Sequence, residues 1–113
     1  MDLDGILANY ENQTTLMGEF PAKDIIKNLT KVAKYVAPDY APAIVNFVCA
    51  KIKHVAPSCK LALFYLMDSI MKNNGGQYIF LFGQRISSLF HHCTMLVITR
   101  LTVFVCLYLW CCV

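Results

Sequence analysis

The chain has 113 residues, 58% of them hydrophobic and 15% charged, with 10 Lys and Arg against 7 Asp and Glu. That length holds one small core, and an apolar share above the roughly 45–50% of ordinary soluble domains excludes a disordered chain or a coiled coil. A net charge of +3 is too slight for the dense basic face of a general nucleic-acid binder, so RNA binding is expected to be weak or absent.

In chain order, Leu3, Ile6, Leu7 and Tyr10 fall at helical spacing and predict a first helix over 3–17. Gly18-Glu19-Phe20-Pro21 breaks it. The second helix, about 22–36, puts Ile25, Ile26, Leu29, Val32, Ala33 and Val36 on one side and Lys23, Lys27, Lys31 and Lys34 on the other. After Ala37-Pro38-Asp39, Pro42 suits the first turn of a third helix carrying Ile44, Val45, Phe47, Val48 and Ile52. Ala56-Pro57-Ser58 is the next break, with Ser58 read as the N-cap of a fourth helix over 59–74. This fourth helix is apolar nearly all round, which predicts the buried centre of an all-α array. Asn73-Asn74-Gly75-Gly76 ends it with residues that accept left-handed backbone geometry, and a fifth helix opens at Gln77.

Asp68 carries the sharpest chemical signal. It shares a face of the fourth helix with Leu61, Phe64, Tyr65 and Lys72, where an unpartnered carboxylate is costly to bury. One reading is structural, an i,i+4 pair with Lys72 or a bond to a neighbouring helix end. The other is functional, an acceptor on the floor of a groove for a hydroxyl or amide of a docked peptide. The lysine row of the second helix reads either as a solvated face or as an attraction for acidic or phosphorylated ligands, with Lys23 nearest the helix N-terminus. Nucleophile–base–orienter sets are not recognisable, so the chain is not read as an enzyme. His91, His92 and Cys93 lack the four placed donors of a closed zinc site. No metal and no cofactor is expected.

The stretch from Ala41 to Ile86 resembles the CTD-interacting domain, or CID, of mRNA 3′-end cleavage and polyadenylation factors. The resemblance rests on YLMDSIMKN at 65–73, followed by Gly76, Tyr78 and Phe82, with Pro57 and Lys60-Leu61 before it. DIIKNLTKVAKY at 24–35 is similar to the family's second helix. The resemblance implies an all-α, right-handed helical superhelix, related to the ENTH and VHS folds, of which residues 1–86 form the N-terminal half. It implies a nuclear module that binds the phosphorylated C-terminal heptad repeats of RNA polymerase II in cleavage, polyadenylation and transcription termination. Other 3′-end processing factors are further candidate partners. The family's peptide groove lies between helices two, four and seven. Asp68 matches the aspartate that accepts a hydrogen bond from the heptad tyrosine; Tyr65, Ser69, Lys72 and Asn73 stand on the same motif. Lys23 aligns with a basic residue near the phosphoserine. Phe20-Pro21-Ala22 stands where the family often has an FNS-type segment, so the polar side chains expected beside the phosphate are missing.

Past Ile86 the resemblance stops and the composition changes. The last 28 residues hold 20 apolar side chains and, as their only charge, Arg100. Residues 87–113 are therefore read as a divergent hydrophobic tail standing where the family has its remaining helices, helix seven among them. Three readings of the tail stay open: a truncated product with no evolved structure there, a substitute helix, or a membrane anchor over 95–113, whose length just reaches a bilayer span. The acidic N-terminus is not read as a signal peptide, and the six cysteines include no CxxC pair, so reduced thiols in the nucleus or cytosol are expected. The alternative family reading is a VHS-type trafficking adaptor, a similar superhelix that usually lacks the Asp-Ser pair at 68–69.

Overall fold

In the computed structural model, which describes residues 2–90, regular structure among the described residues is entirely helical. Helix α1, Leu3–Met17, starts at Asp2, whose Oδ1 accepts from the Gly5 amide at 2.9 Å and so satisfies one orphan N–H of the first turn. It buries Ile6, Tyr10, Thr14 and Met17. The stripe has turned relative to the predicted one: Leu3 and Leu7 are only half-buried, because the contact with the next helix is made on the Tyr10 side.

Helix α2, Lys23–Tyr35, keeps the predicted division, with Leu29, Thr30 and Ala33 buried and all four lysines exposed. A 3-10 turn at Pro38–Tyr40 leads into α3, Ala41–His54. Helix α4 runs Pro57–Asn74, two residues longer at its start than predicted. Ala56 is its N-cap and Pro57 its first residue, so Ser58 lies inside the helix and caps nothing. Proline takes that position because it has no N–H to leave unsatisfied and its φ already suits the first turn.

Gly75 and Gly76 follow with φ of +60° and +46°, a backbone that side chains with a Cβ resist. They turn the chain sharply into α5, Gly76–Gly83, and a last short helix, α6, covers Ile86–Phe90. Helices α2, α3 and α5 all pack against α4, whose Leu63, Phe64, Leu66, Met67, Ile70 and Met71 are buried. The helix that is apolar all round is thus the central one, as the sequence predicts.

Side chains from neighbouring helices finish the helix ends. The last carbonyls of an α-helix have no intrahelical donor. Tyr78 donates to the carbonyl of Ala33 at 2.7 Å, near the end of α2. Tyr10 reaches the Leu29 carbonyl one turn earlier at 2.6 Å. Burial raises the pKa of both phenols, that of Tyr78 to about 12, so both remain neutral donors at physiological pH.

Lys60 performs the same task for α3. Only 3% exposed, it sends its Nζ to the carbonyls of Ile52 and Lys53 in the last turn of that helix. A cation there also complements the helix dipole. A buried lysine is costly unless its donors are used, and this one uses them on orphaned acceptors. Lys60→Met keeps the stem and loses the donor, so it is expected to destabilise the fold by about 1–3 kcal/mol, read as a lower urea midpoint. An unchanged midpoint would contradict this role.

Candidate functional site: the groove between α2 and α4

Helices α2 and α4 together line a groove of about 630 Å³. Lys23, Ile26, Lys27, Thr30, Lys31 and Lys34 form the α2 wall, and Tyr65, Asp68, Ser69, Asn73 and Asn74 the α4 wall. Each set repeats every three or four residues, so each is one face of its helix. Of the six residues that the sequence nominates, Lys23, Tyr65, Asp68, Ser69 and Asn73 line the groove. Lys72 stands just outside it and is tied to Asp68.

Asp68 sits at the floor, 9% exposed. Its Oδ2 lies 3.2 Å from the Lys72 Nζ, an i,i+4 ion pair, so the structural reading is realised for that oxygen. Its Oδ1 is sealed from solvent and has no hydrogen-bond partner. Burial disfavours the charged form and raises the carboxyl pKa, while the bond and charge of Lys72 pull it back down. A half-satisfied carboxylate of this kind is a standing acceptor for a strong donor.

The joint beside it is polar and hydrogen-bonded, with Asn74 Oδ1 its one buried atom without a partner among the described residues. Thr30 gives its one hydroxyl proton to the Ile26 carbonyl at 2.7 Å. The Ser69 hydroxyl, 2.7 Å from the Thr30 oxygen, is therefore the donor in that pair. Asn73 Nδ2 in turn donates to the Ser69 carbonyl at 2.8 Å and to its Oγ at 3.3 Å. Asn74 Nδ2 crosses to the Thr30 carbonyl at 3.1 Å. Ser69 and Asn73 thus spend their polar atoms in holding α4 and setting its distance from α2, while their outer surfaces form groove wall.

Thr30 and Asn74 escaped the sequence reading. The signal for Thr30 was present, a polar residue among the apolar positions Ile26, Leu29 and Ala33. For Asn74 nothing local distinguished a cross-helix donor from a helix terminator. At the rim, Lys23, Lys27, Lys31 and Lys34 are all exposed. No side chain caps the N-terminus of α2, where Lys23 stands, and Pro21 lines the same end of the groove. Tyr65 presents its ring at the opposite wall, 40% exposed.

A family model for the CID domain matches residues 8–101. The chain belongs to the CID domain family. That match decides between this family and the VHS-type adaptor, and it runs past Ile86, where the resemblance legible in the sequence stops. A crystal structure of the RPR of Pcf11 is similar to this CID domain with a TM-score of 0.69 and 26% sequence identity, covering 89% of this chain and 76% of that one. The all-α superhelix implied by the sequence is therefore its fold. An uncharacterized protein of Schizosaccharomyces pombe is 44% identical over 71 residues, 63% of this chain. The chain covers only 11% of the length of that relative.

The groove wall expected from helix seven, the His91-His92-Cys93 cluster and the apolar stretch 95–113 all lie outside the described residues. Among the described residues no helix is long and apolar enough to cross a membrane.

The raised pKa of Asp68 fixes a sign. The folded state holds that proton more readily than the unfolded chain, so the contribution of Asp68 to stability is present below its ordinary value of 3.8. It is lost as pH rises through the raised value. In thermal melts of the Asp68→Asn variant, stability relative to wild type should rise between about pH 3 and pH 7. A relative stability that falls over that range would contradict the assignment.

Proposed function

We propose that this CID domain binds the phosphorylated C-terminal heptad repeats of RNA polymerase II in its α2–α4 groove. On this reading it is a nuclear interaction module of mRNA 3′-end cleavage, polyadenylation and transcription termination, with no catalytic role and no cofactor. The observation that carries the reading is the Asp68 carboxylate at the groove floor, one oxygen unpartnered, beneath a rim of four lysines.

The chemistry is that of a peptide clamp. The heptad tyrosine donates its hydroxyl to Asp68, a charge-assisted bond about twice as strong as a neutral one. Oδ1 is reached by a small rotation of the carboxyl group, with Lys72 following its partner. The ring of Tyr65 flanks the incoming aromatic, where edge or offset stacking adds to buried area. Phosphate on the second-position serine lies toward Lys23 and the open first turn of α2, where free amides and the helix dipole favour an anion. Lys27, Lys31 and Lys34 extend that positive rim along the groove and steer a multiply phosphorylated chain toward it.

Titration calorimetry with single-repeat peptides tests the reading. Wild type should bind the peptide phosphorylated at the second-position serine more tightly than the unmodified one. Asp68→Ala should weaken both by about tenfold or more, as expected for a hydrogen bond to a charged group. Equal, negligible binding by both proteins would overturn it.

A further inference from the structure

Helix α2 has a second groove on its other flank, about 610 Å³ in volume. Ile6, Val32, Tyr35, Val36 and Tyr40 give it apolar and aromatic walls, and Lys31 lines both this groove and the first. The two are thus neighbours across one helix. The ridge between them is α2 itself, about 10–12 Å across with its side chains, and it carries the exposed Lys27, Lys31 and Lys34. Tyr35 stands 74% exposed at the edge of the second groove. The clamp described above touches it only through Lys34, whose Nζ lies 5.7 Å from the centre of its ring.

We infer that the second groove receives the tyrosine of a neighbouring repeat of the same ligand, so that one chain engages two successive heptads. The inference rests on the proposed reading of the first groove. Seven residues in extended form reach up to about 23–25 Å, roughly twice the width of the ridge. A repeat seated on Asp68 therefore has enough chain to cross α2. The segment beyond the second-position phosphate then lies over Lys27, Lys31 and Lys34, where charge complementarity holds any further phosphate it carries. The next tyrosine, one period along, arrives at a pocket of the size that takes an aromatic ring with its flanking backbone. Its ring packs against Tyr35, Tyr40 and Val32. Asn28 and Lys31, polar at the rim of the groove, lie where the hydroxyl emerges, as buried tyrosines require a partner for that end.

Calorimetry of the full 113-residue chain with one-repeat and two-repeat phosphopeptides tests this. The two-repeat peptide is expected to bind one chain per peptide and about tenfold more tightly than the one-repeat peptide, beyond the roughly twofold gain of having two equivalent registers. Tyr35→Ala removes a wall of the second groove, and Ala37→Leu fills it. Each should reduce the advantage to about twofold, and Ala37→Leu, which keeps the Lys34–Tyr35 contact, should leave one-repeat affinity unchanged. Three results would overturn the inference while leaving the first groove intact: a wild-type advantage of twofold or less, two chains bound per two-repeat peptide, or an undiminished advantage in both variants. Absence of one-repeat binding, or insensitivity of that binding to Asp68→Ala, would instead overturn the reading of the first groove and this inference with it.

Discussion

A helix that is apolar on every side has to be covered on every side, and α4 is that helix. Exposing its Leu63, Phe64, Leu66, Met67 and Ile70 would forfeit about 1.5–3 kcal/mol for each large side chain. Helices α2, α3 and α5 surround it for this reason. The one carboxylate on α4, Asp68, stands beside the exposed strip of that helix formed by Tyr65, Lys72 and Asn73. It ends up half-paired with Lys72 at the bottom of the groove that α2 and α4 line. The site is a consequence of incomplete coverage around a buried helix.

Placement of α2 decides how that opening is shaped. Side chains from three other helices reach its backbone: Tyr10 at Leu29, Asn74 at Thr30 and Tyr78 at Ala33. With these carbonyls engaged, the apolar face of α2 is held against α1, α4 and α5, and its lysine face can only look outward. The Thr30–Ser69 bond replaces an apolar contact along the α2–α4 seam, and both residues line the groove there. The negative floor and positive rim therefore follow from one helix orientation. Lys72 moderates the carboxylate; the α2 lysines remain available to anions. Exposed pairs such as Lys51 with Glu11, 2.8 Å apart, add little beside these buried bonds.

Most of this was legible in the residues. The 3.6-residue period of α2 separated its lysines from its core face, and the all-round apolarity of α4 marked it as central. Asp68 stood out because a carboxylate conflicts with that environment. What escaped shares a physical character, since it depended on partners distant in sequence. Lys60 counts in the sequence only as part of the Lys60-Leu61 pair before the motif, because the carbonyls it caps belong to the end of another helix. Thr30 and Asn74 join across 44 residues, and no local pattern encodes such a bond. The start of α4 was misplaced by two residues because Ser58 competed as a cap with a proline that fits one position earlier. The second groove was equally invisible, being formed by α1, α2 and the 3-10 turn together.

On the proposed reading, the ligand binds the α2–α4 face around Asp68. Backbone chemical-shift mapping of the isotope-labelled chain during titration with a one-repeat phosphopeptide tests it most directly. The largest perturbations are expected on Ile26, Thr30, Tyr65, Asp68, Ser69 and Asn73, with Lys23 and Lys27 following when the peptide is phosphorylated. Perturbations confined to α1, α3 and α6, with the Asp68 neighbourhood unmoved at saturation, would contradict it.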